Sequence, residues 1–319
     1  MKPIVLLARP IPTEVEAYIS THCTILKSTK HESMSRSEML LQLATAEGLL
    51  TTGGKIDEEL LSRAPHLKVI SNISVGYNNM DLDAMKAHGV IGTNTPEVLD
   101  ETVADLVFGL ILGTARRIAE LDFYVKQGKW QSGDNESLFG LDVHHRTLGI
   151  IGLGRIGEAI ARRAKLGFQM DVQYYNRNRK LDVEASLGVA YKPMNELLRT
   201  SDFILLMTPL TEDTFHLIGR DQFAIMKPTA IFINTSRGKT VDETALIEAL
   251  QNKQIYAAGL DVFDREPIES DNPLLQMPNV LALPHIGSAT AQTRFDMAML
   301  AARNLVLAVQ GQTPPNLIS

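Results

Sequence analysis

The chain has a single cysteine, Cys23, among 319 residues. No disulfide can form within it, so a reducing compartment, the cytoplasm, is the expected home. It has no excess of positive charge: Lys and Arg number 31 against 37 Asp and Glu, a net charge of −6. A general nucleic-acid or membrane-surface binder would usually be basic, so neither partner is expected. It has no long apolar run. The stretch in "MKPIVLLARP" is too short for a signal peptide or a membrane span, and charges or turn residues break the others. It lacks repeats at solenoid length. It also lacks clusters of Cys, His and carboxylates at ligand spacing, so no metal is expected; the adjacent His144 and His145 point different ways and suit a structural or interface role better.

What is present is ordinary globular material, 45% hydrophobic and 21% charged, in a length that suits two domains. Short apolar runs alternate with helical patterns. "IVLLA" (4–8), "CTIL" (23–26), "EGLL" (47–50), "LKVI" (67–70) and "GVIGT" (89–93) read as strands. Such alternation predicts a parallel sheet flanked by helices. One long helix is then expected from about Pro96 to Asp122. Val103, Leu106, Val107, Leu110, Ile111 and Thr114 form its buried face. An exposed loop over 128–142 follows. A second alternation begins at Thr147, with strands at 147–152, 171–175, 202–207, 230–234, 255–262 and 280–284.

"GIIGLGRIGEAIARRAKLGF" carries Gly152, Gly154 and Gly157 between an apolar strand and an amphipathic helix. In that context the spacing predicts a dinucleotide site. Gly152 allows the tight turn, Gly154 the close approach of a pyrophosphate and Gly157 helix–strand packing. The phosphates would lie at the helix N-terminus beside Arg155 and Ile156. The same spacing also serves plain structural turns. About 20 residues further on, an acidic side chain would hold the 2′-hydroxyl of NAD. That place is taken by "NRNR". Asn176 repels no phosphate, and Arg177 and Arg179 can bind one, so NADP(H) is expected to be preferred to NAD(H), which stays compatible with the motif. A solvated basic turn is the plainer alternative.

Three segments follow strands of the second half: "NTSRG" with Arg237, "GLDVFDREP" with Asp261 and Glu266, and "PHIGSAT" with His285. Arg, Glu and His together suit reduction of a 2-oxo acid. The Arg would hold the carboxylate and polarise the carbonyl, and a His beside a carboxylate would donate the proton. Taken singly, each residue has a structural reading.

With "GIIGLGRIG", these motifs in this order resemble the D-isomer-specific 2-hydroxyacid dehydrogenases, over about residues 45 to 310. The resemblance implies Arg237, Glu266 and His285 as catalytic residues. It implies backbone N–H groups of Val75 and Gly76, in "SVGYNN", as holders of the substrate carboxylate. It also implies cofactor contacts from Thr102, from Thr208, Pro209 and Thr214 in "TPLTEDT", from Thr235 and Ser236, and from Asp261 and Gly287, with Asp261 near the nicotinamide. Within the family the chain is most similar to the bacterial glyoxylate/hydroxypyruvate reductase B group, also called 2-ketogluconate reductases. That implies NADPH-dependent reduction of glyoxylate, hydroxypyruvate or 2-ketogluconate by a homodimer. Leu138 and Phe139 stand where related reductases often carry a Trp, which touches on substrate preference.

The expected architecture is α/β, with two Rossmann-like domains of parallel sheets flanked by helices. Residues 1–99 plus 287–319 would form the substrate-binding domain and residues 100–286 the dinucleotide-binding domain, with the active site in the cleft between them. The alternatives are another D-2-hydroxyacid dehydrogenase, such as a D-3-phosphoglycerate dehydrogenase, and a dinucleotide-sensing corepressor-like binding protein. No regulatory domain is expected after Ser319, and Asn176 disfavours the NAD-dependent first alternative.

Overall fold

The structure, a computed structural model, describes residues 2–28, 32–133 and 136–318. Its strands are β1 (Ile4–Leu7), β2 (Thr24–Lys27), β3 (Gly48–Thr51), β4 (Val69–Asn72), β5 (Ile91–Thr93), β6 (Thr147–Ile151), β7 (Asp171–Tyr175), β8 (Ala190–Tyr191), β9 (Phe203–Leu206), β10 (Ile231–Asn234), β11 (Ala257–Leu260), β12 (Val280–Ala282) and β13 (Leu317–Ile318). The chain divides into two compact units, Met1–Leu99 with Ser288–Ser319, and Asp100–Gly287.

The first unit holds a sheet in the order β13-β5-β4-β3-β1-β2. All its pairs are parallel except β13 with β5. This antiparallel edge was not anticipated, because two paired residues leave no periodicity to read. The helix Ala291–Val309 returns the chain to this sheet. Gly48 permits its close approach: a Cβ there would lie 2.8 Å from Leu305 Cδ1 and 2.9 Å from Val309 Cγ1. Ser71 Oγ donates to the Ala301 carbonyl at 2.8 Å, so the buried hydroxyl is satisfied where helix meets sheet.

The second unit is a seven-stranded parallel sheet, β12-β11-β10-β9-β6-β7-β8. Read from β8, this is the Rossmann order extended by one strand, and its direction reverses between β6 and β9. The strands β9, β10 and β11 are buried along their whole length, as a sheet covered on both faces requires. The loops after β6, β7, β9, β10, β11 and β12 all leave the carboxyl ends of the strands, where open α/β sheets bind ligands.

The expected single helix from Pro96 is corrected. Glu97 is left-handed at φ 73°, and the helix starts at Asp100 and stops at Ala115. A second helix, Ile118–Lys126, begins after Arg117, which is also left-handed at φ 57°. The break is held by the contacts of Arg117. Arg117 pairs with Glu120 and donates to the carbonyls of Ser137 and Phe139, turning the chain toward the following loop. The apolar pattern continues across the break, so periodicity could not reveal it. The loop over 128–142 is largely exposed, with a short 3₁₀ turn at Glu136–Leu138; its residues 134 and 135 lie outside those described.

Candidate active site

β6 is almost wholly buried and ends in the glycine turn. Gly152 is at φ +104°, and a Cβ there would lie 2.7 Å from the Met207 carbonyl oxygen. A Cβ at Gly157 would lie 2.7 Å from the Gly152 carbonyl oxygen. Around the Cβ position of Gly154 there is nothing within 4 Å. Two glycines are therefore required by packing, and the one between them leaves an open approach to backbone. Gly154 caps the helix Arg155–Phe168 without a side-chain bond, so the N–H groups of its first turn face that opening. Beside the turn, Thr208 Oγ1 is buried and has no hydrogen-bond partner among the described residues. This cradle fits a dinucleotide pyrophosphate.

Other expected cofactor residues are more occupied. Arg155 leans toward Asp100, with Nε 3.4 Å from Oδ2. Thr214 Oγ1 donates to the Pro209 carbonyl at 2.6 Å and accepts from Thr211 N–H at 2.8 Å, shaping its own loop. Thr235 Oγ1 lies 2.9 Å from Met207 Sδ. Thr102, on the helix Asp100–Ala115, is half-buried.

The side chain of Asn176 is spent on the glycine turn. Its Oδ1 accepts from Leu153 N–H at 2.7 Å, and its Nδ2 donates to the Leu153 carbonyl at 3.1 Å. An ionised carboxylate could accept the first bond but not donate the second. Arg179 is held by Glu184, at 2.5 and 3.1 Å, and sits 5.5 Å from the Tyr191 ring centroid. Arg177 is 83% exposed, with one 3.4 Å contact to an exposed Asp213. Exposed pairs of this kind contribute little, so Arg177 is the arginine with least to give up on meeting an anion.

The catalytic candidates Arg237, Glu266 and His285 lie in this same unit. Asn234, at the end of β10 and 2% exposed, accepts from Ser236 N–H and Oγ at 3.0 and 2.8 Å and donates to the Arg237 carbonyl at 3.2 Å. Gly238 then meets the next loop: a Cβ there would lie 1.7 Å from the Phe263 carbonyl oxygen. Only glycine lets the Arg237 turn press against the segment leading to Glu266. Burial pushes the Arg237 guanidinium down from its ordinary range, and the charge of Glu266 opposes this. The group stays a cation.

Glu266 is fixed at both oxygens. Oε1 accepts from Phe263 N–H at 3.1 Å and Oε2 meets His285 Nδ1 at 2.6 Å. Burial pushes its carboxyl up, but the bond and charge of His285, the Phe263 N–H and Arg237 together bring it below the ordinary glutamate value. With Nδ1–H assigned to Glu266, His285 Nε2 is left for the reaction. His285 itself is left-handed, at φ 53°. Such a conformation in a non-glycine residue costs on the order of 1–3 kcal/mol and persists only where its surroundings hold it. Asp261, 1% exposed, accepts from Ile286 N–H and Gly287 N–H, both at 2.8 Å. Burial pushes its carboxyl up, and those two bonds and His285 pull the other way.

In the first unit, the loop after β4 carries Val75 and Gly76. Asn94 Nδ2 donates to the Val75 carbonyl at 2.8 Å and Asn72 Nδ2 to the Gly76 carbonyl at 3.0 Å. With the carbonyls turned to these amides, the two N–H groups make no hydrogen bond among the described residues. That is the state an anion-binding loop requires. Asn72, Asn94 and Asn234 were missed by sequence reasoning. Their signal is an Asn closing an apolar strand.

Comparison with known proteins decides the family. Residues 108–287 match the NAD-binding domain of the D-isomer specific 2-hydroxyacid dehydrogenases. The chain belongs to that family. The chain is 47% identical, over all of its length and 98% of the relative's, to glyoxylate/hydroxypyruvate reductase B of Serratia proteamaculans, and equally so to that of Escherichia fergusonii. It also superposes, with TM-score 0.89 and 32% identity, on an NADPH-dependent glyoxylate/hydroxypyruvate reductase from Sinorhizobium meliloti solved with NADP and malonate; all of this chain and 97% of that one are covered. The protein is thus a nicotinamide-dependent oxidoreductase, and its two parallel-sheet units are those of the 2-hydroxyacid dehydrogenases. Among the described residues no helix is long and apolar enough to cross a membrane, and no group of three His, Cys, Asp or Glu is arranged to hold a metal ion.

Proposed function

We propose that the protein reduces small 2-oxo acids to D-2-hydroxy acids with NADPH, glyoxylate and hydroxypyruvate first among them and 2-ketogluconate a third. The observation that carries the reading is the His285–Glu266 pair at 2.6 Å, with Nε2 making no hydrogen bond among the described residues, in the same unit as the half-buried Arg237. The cofactor supplies the hydride. Arg237 holds the substrate carboxylate and polarises the carbonyl, stabilising the charge that grows on its oxygen. His285 Nε2 gives that oxygen its proton, and Glu266 stabilises the imidazolium before transfer and fixes the ring. Val75 and Gly76 N–H groups hold the carboxylate from the loop after β4. The unit Asp100–Gly287 takes the dinucleotide, and the unit formed by the chain's two ends takes the substrate.

NADPH preference is assigned to Arg177. Arg177→Ala should raise the KM for NADPH about 10- to 100-fold, the worth of a charge-assisted hydrogen bond, and leave that for NADH nearly unchanged. Equal effects on both cofactors would remove the 2′-phosphate assignment.

A homodimer is proposed on a second observation. The helix Ile118–Lys126 buries none of its side chains, and Ile118, Phe123 and Val125, with Trp130 and Phe139 nearby in sequence, are large apolar residues left more than half exposed. Apolar surface of this kind on one segment marks an interface. Sedimentation analysis of Phe123→Glu/Trp130→Glu should give a monomer where the parent chain gives a dimer. A variant that sediments like its parent would place the interface elsewhere.

A further inference from the structure

We propose that Asp261 is a positioning residue that sets the place of His285 through the backbone. This rests on the reading of His285 as proton donor. His285 leaves β12 in a left-handed conformation that a side chain of its type rarely adopts. Nothing in the imidazole's own bond to Glu266 explains why the chain holds that turn, because Glu266 itself stands on an exposed loop. The residues after His285 do explain it. Their two successive N–H groups, of Ile286 and Gly287, converge on the two oxygens of one carboxylate, each at 2.8 Å. The carboxylate closes β11, the neighbour of β12, so its place is fixed by the sheet. At Gly287 a Cβ would come within 3.3 Å of Oδ2, so a glycine lets the grip close fully. Buried carboxylates are costly unless paired or hydrogen-bonded, which makes a single well-defined arrangement the stable one.

The grip needs two acceptor oxygens. An amide in place of the carboxylate would turn an NH₂ group against one of the two N–H donors. The same carboxylate has further lone pairs and could meet a bound cofactor, so a tether and a cofactor contact must be separated by experiment. The two differ in what else changes. A tether acts through His285 and matters only while the imidazole is there. A cofactor contact acts on NADPH binding whether or not the imidazole is present.

The experiment is a double-mutant cycle of Asp261→Asn and His285→Ala, with kcat measured on hydroxypyruvate or glyoxylate and the NADPH dissociation constant by fluorescence titration. Asp261→Asn should lower kcat roughly tenfold or more, with the NADPH dissociation constant kept within about threefold. The double variant should be no slower than His285→Ala alone beyond about twofold. Multiplicative losses, or a dissociation constant that rises in step with the fall in kcat, would overturn the tether. A His285→Ala protein that keeps its rate would overturn the proton-donor reading and the tether with it, whereas a fully impaired one with multiplicative losses overturns the tether alone. Should Asp261→Asn fail to fold, residue-resolved hydrogen exchange on the parent chain still decides. The Ile286 and Gly287 amides, outside any helix or strand, should exchange slowly, and free exchange of both would contradict the grip.

Discussion

Replacing His285 with alanine should lower kcat about 10²- to 10⁴-fold, the usual contribution of a positioned general acid. The size follows from the arrangement. The carbonyl oxygen of a 2-oxo acid must gain a proton as hydride arrives, and His285 Nε2 is the nitrogen left to give it once Nδ1 is bound by Glu266 at 2.6 Å. Glu266 is held below its ordinary pKa in spite of partial desolvation, so it is present as the carboxylate that an imidazolium needs beside it. Glu266→Gln should therefore cost less than His285→Ala, because the ring keeps a hydrogen-bond acceptor and loses only the charge. Steady-state rates with either oxo acid test this. A His285→Ala variant as fast as its parent would remove the imidazole from the chemistry.

Arg237→Ala should lower kcat/KM for the oxo acid about 10²- to 10³-fold, as expected when a donor to developing oxyanion charge is deleted. Arg237 is held by its backbone turn: Asn234 grips the loop, and Gly238 presses it against Phe263. Its partial burial strengthens its attraction for a carboxylate by removing some of the water that would screen it. Lysine at this position restores the charge without the planar fork, so Arg237→Lys should recover only part of the loss. If Arg237→Ala keeps its kcat/KM, the carboxylate is held elsewhere.

Much of this was legible in the sequence because strands and glycine turns leave strong marks. "DVQYY" is β7 residue for residue, and Gly152, Gly154 and Gly157 take the parts their spacing implies: turn, open approach and packing. Loop-held contacts left weaker marks. Asn176 reads in the sequence as a missing acid, yet in the structure it clamps Leu153 from both sides, a bond pattern set by where β6 and β7 end. Asp261 reads as a neighbour of the cofactor, and its visible partners are two backbone N–H groups 25 and 26 residues away. Arg177 and Arg179 look alike in "NRNRK". Glu184 engages Arg179 and leaves Arg177 exposed, a difference made by the helix Leu181–Leu187 that no local pattern predicts. The break at Arg117 was hidden for a related reason, since the contacts that cause it come from residues about 20 positions away.

In the proposed reading, the imidazole of His285, the half-buried guanidinium of Arg237 and the exposed Arg177 make an NADPH-dependent 2-oxo acid reductase. The most direct test is kcat/KM for glyoxylate, hydroxypyruvate and 2-ketogluconate, each with NADPH and with NADH. Turnover of at least one of these acids is expected, with a higher kcat/KM for NADPH than for NADH. An enzyme that turns over none of them with either cofactor is not a reductase of this kind.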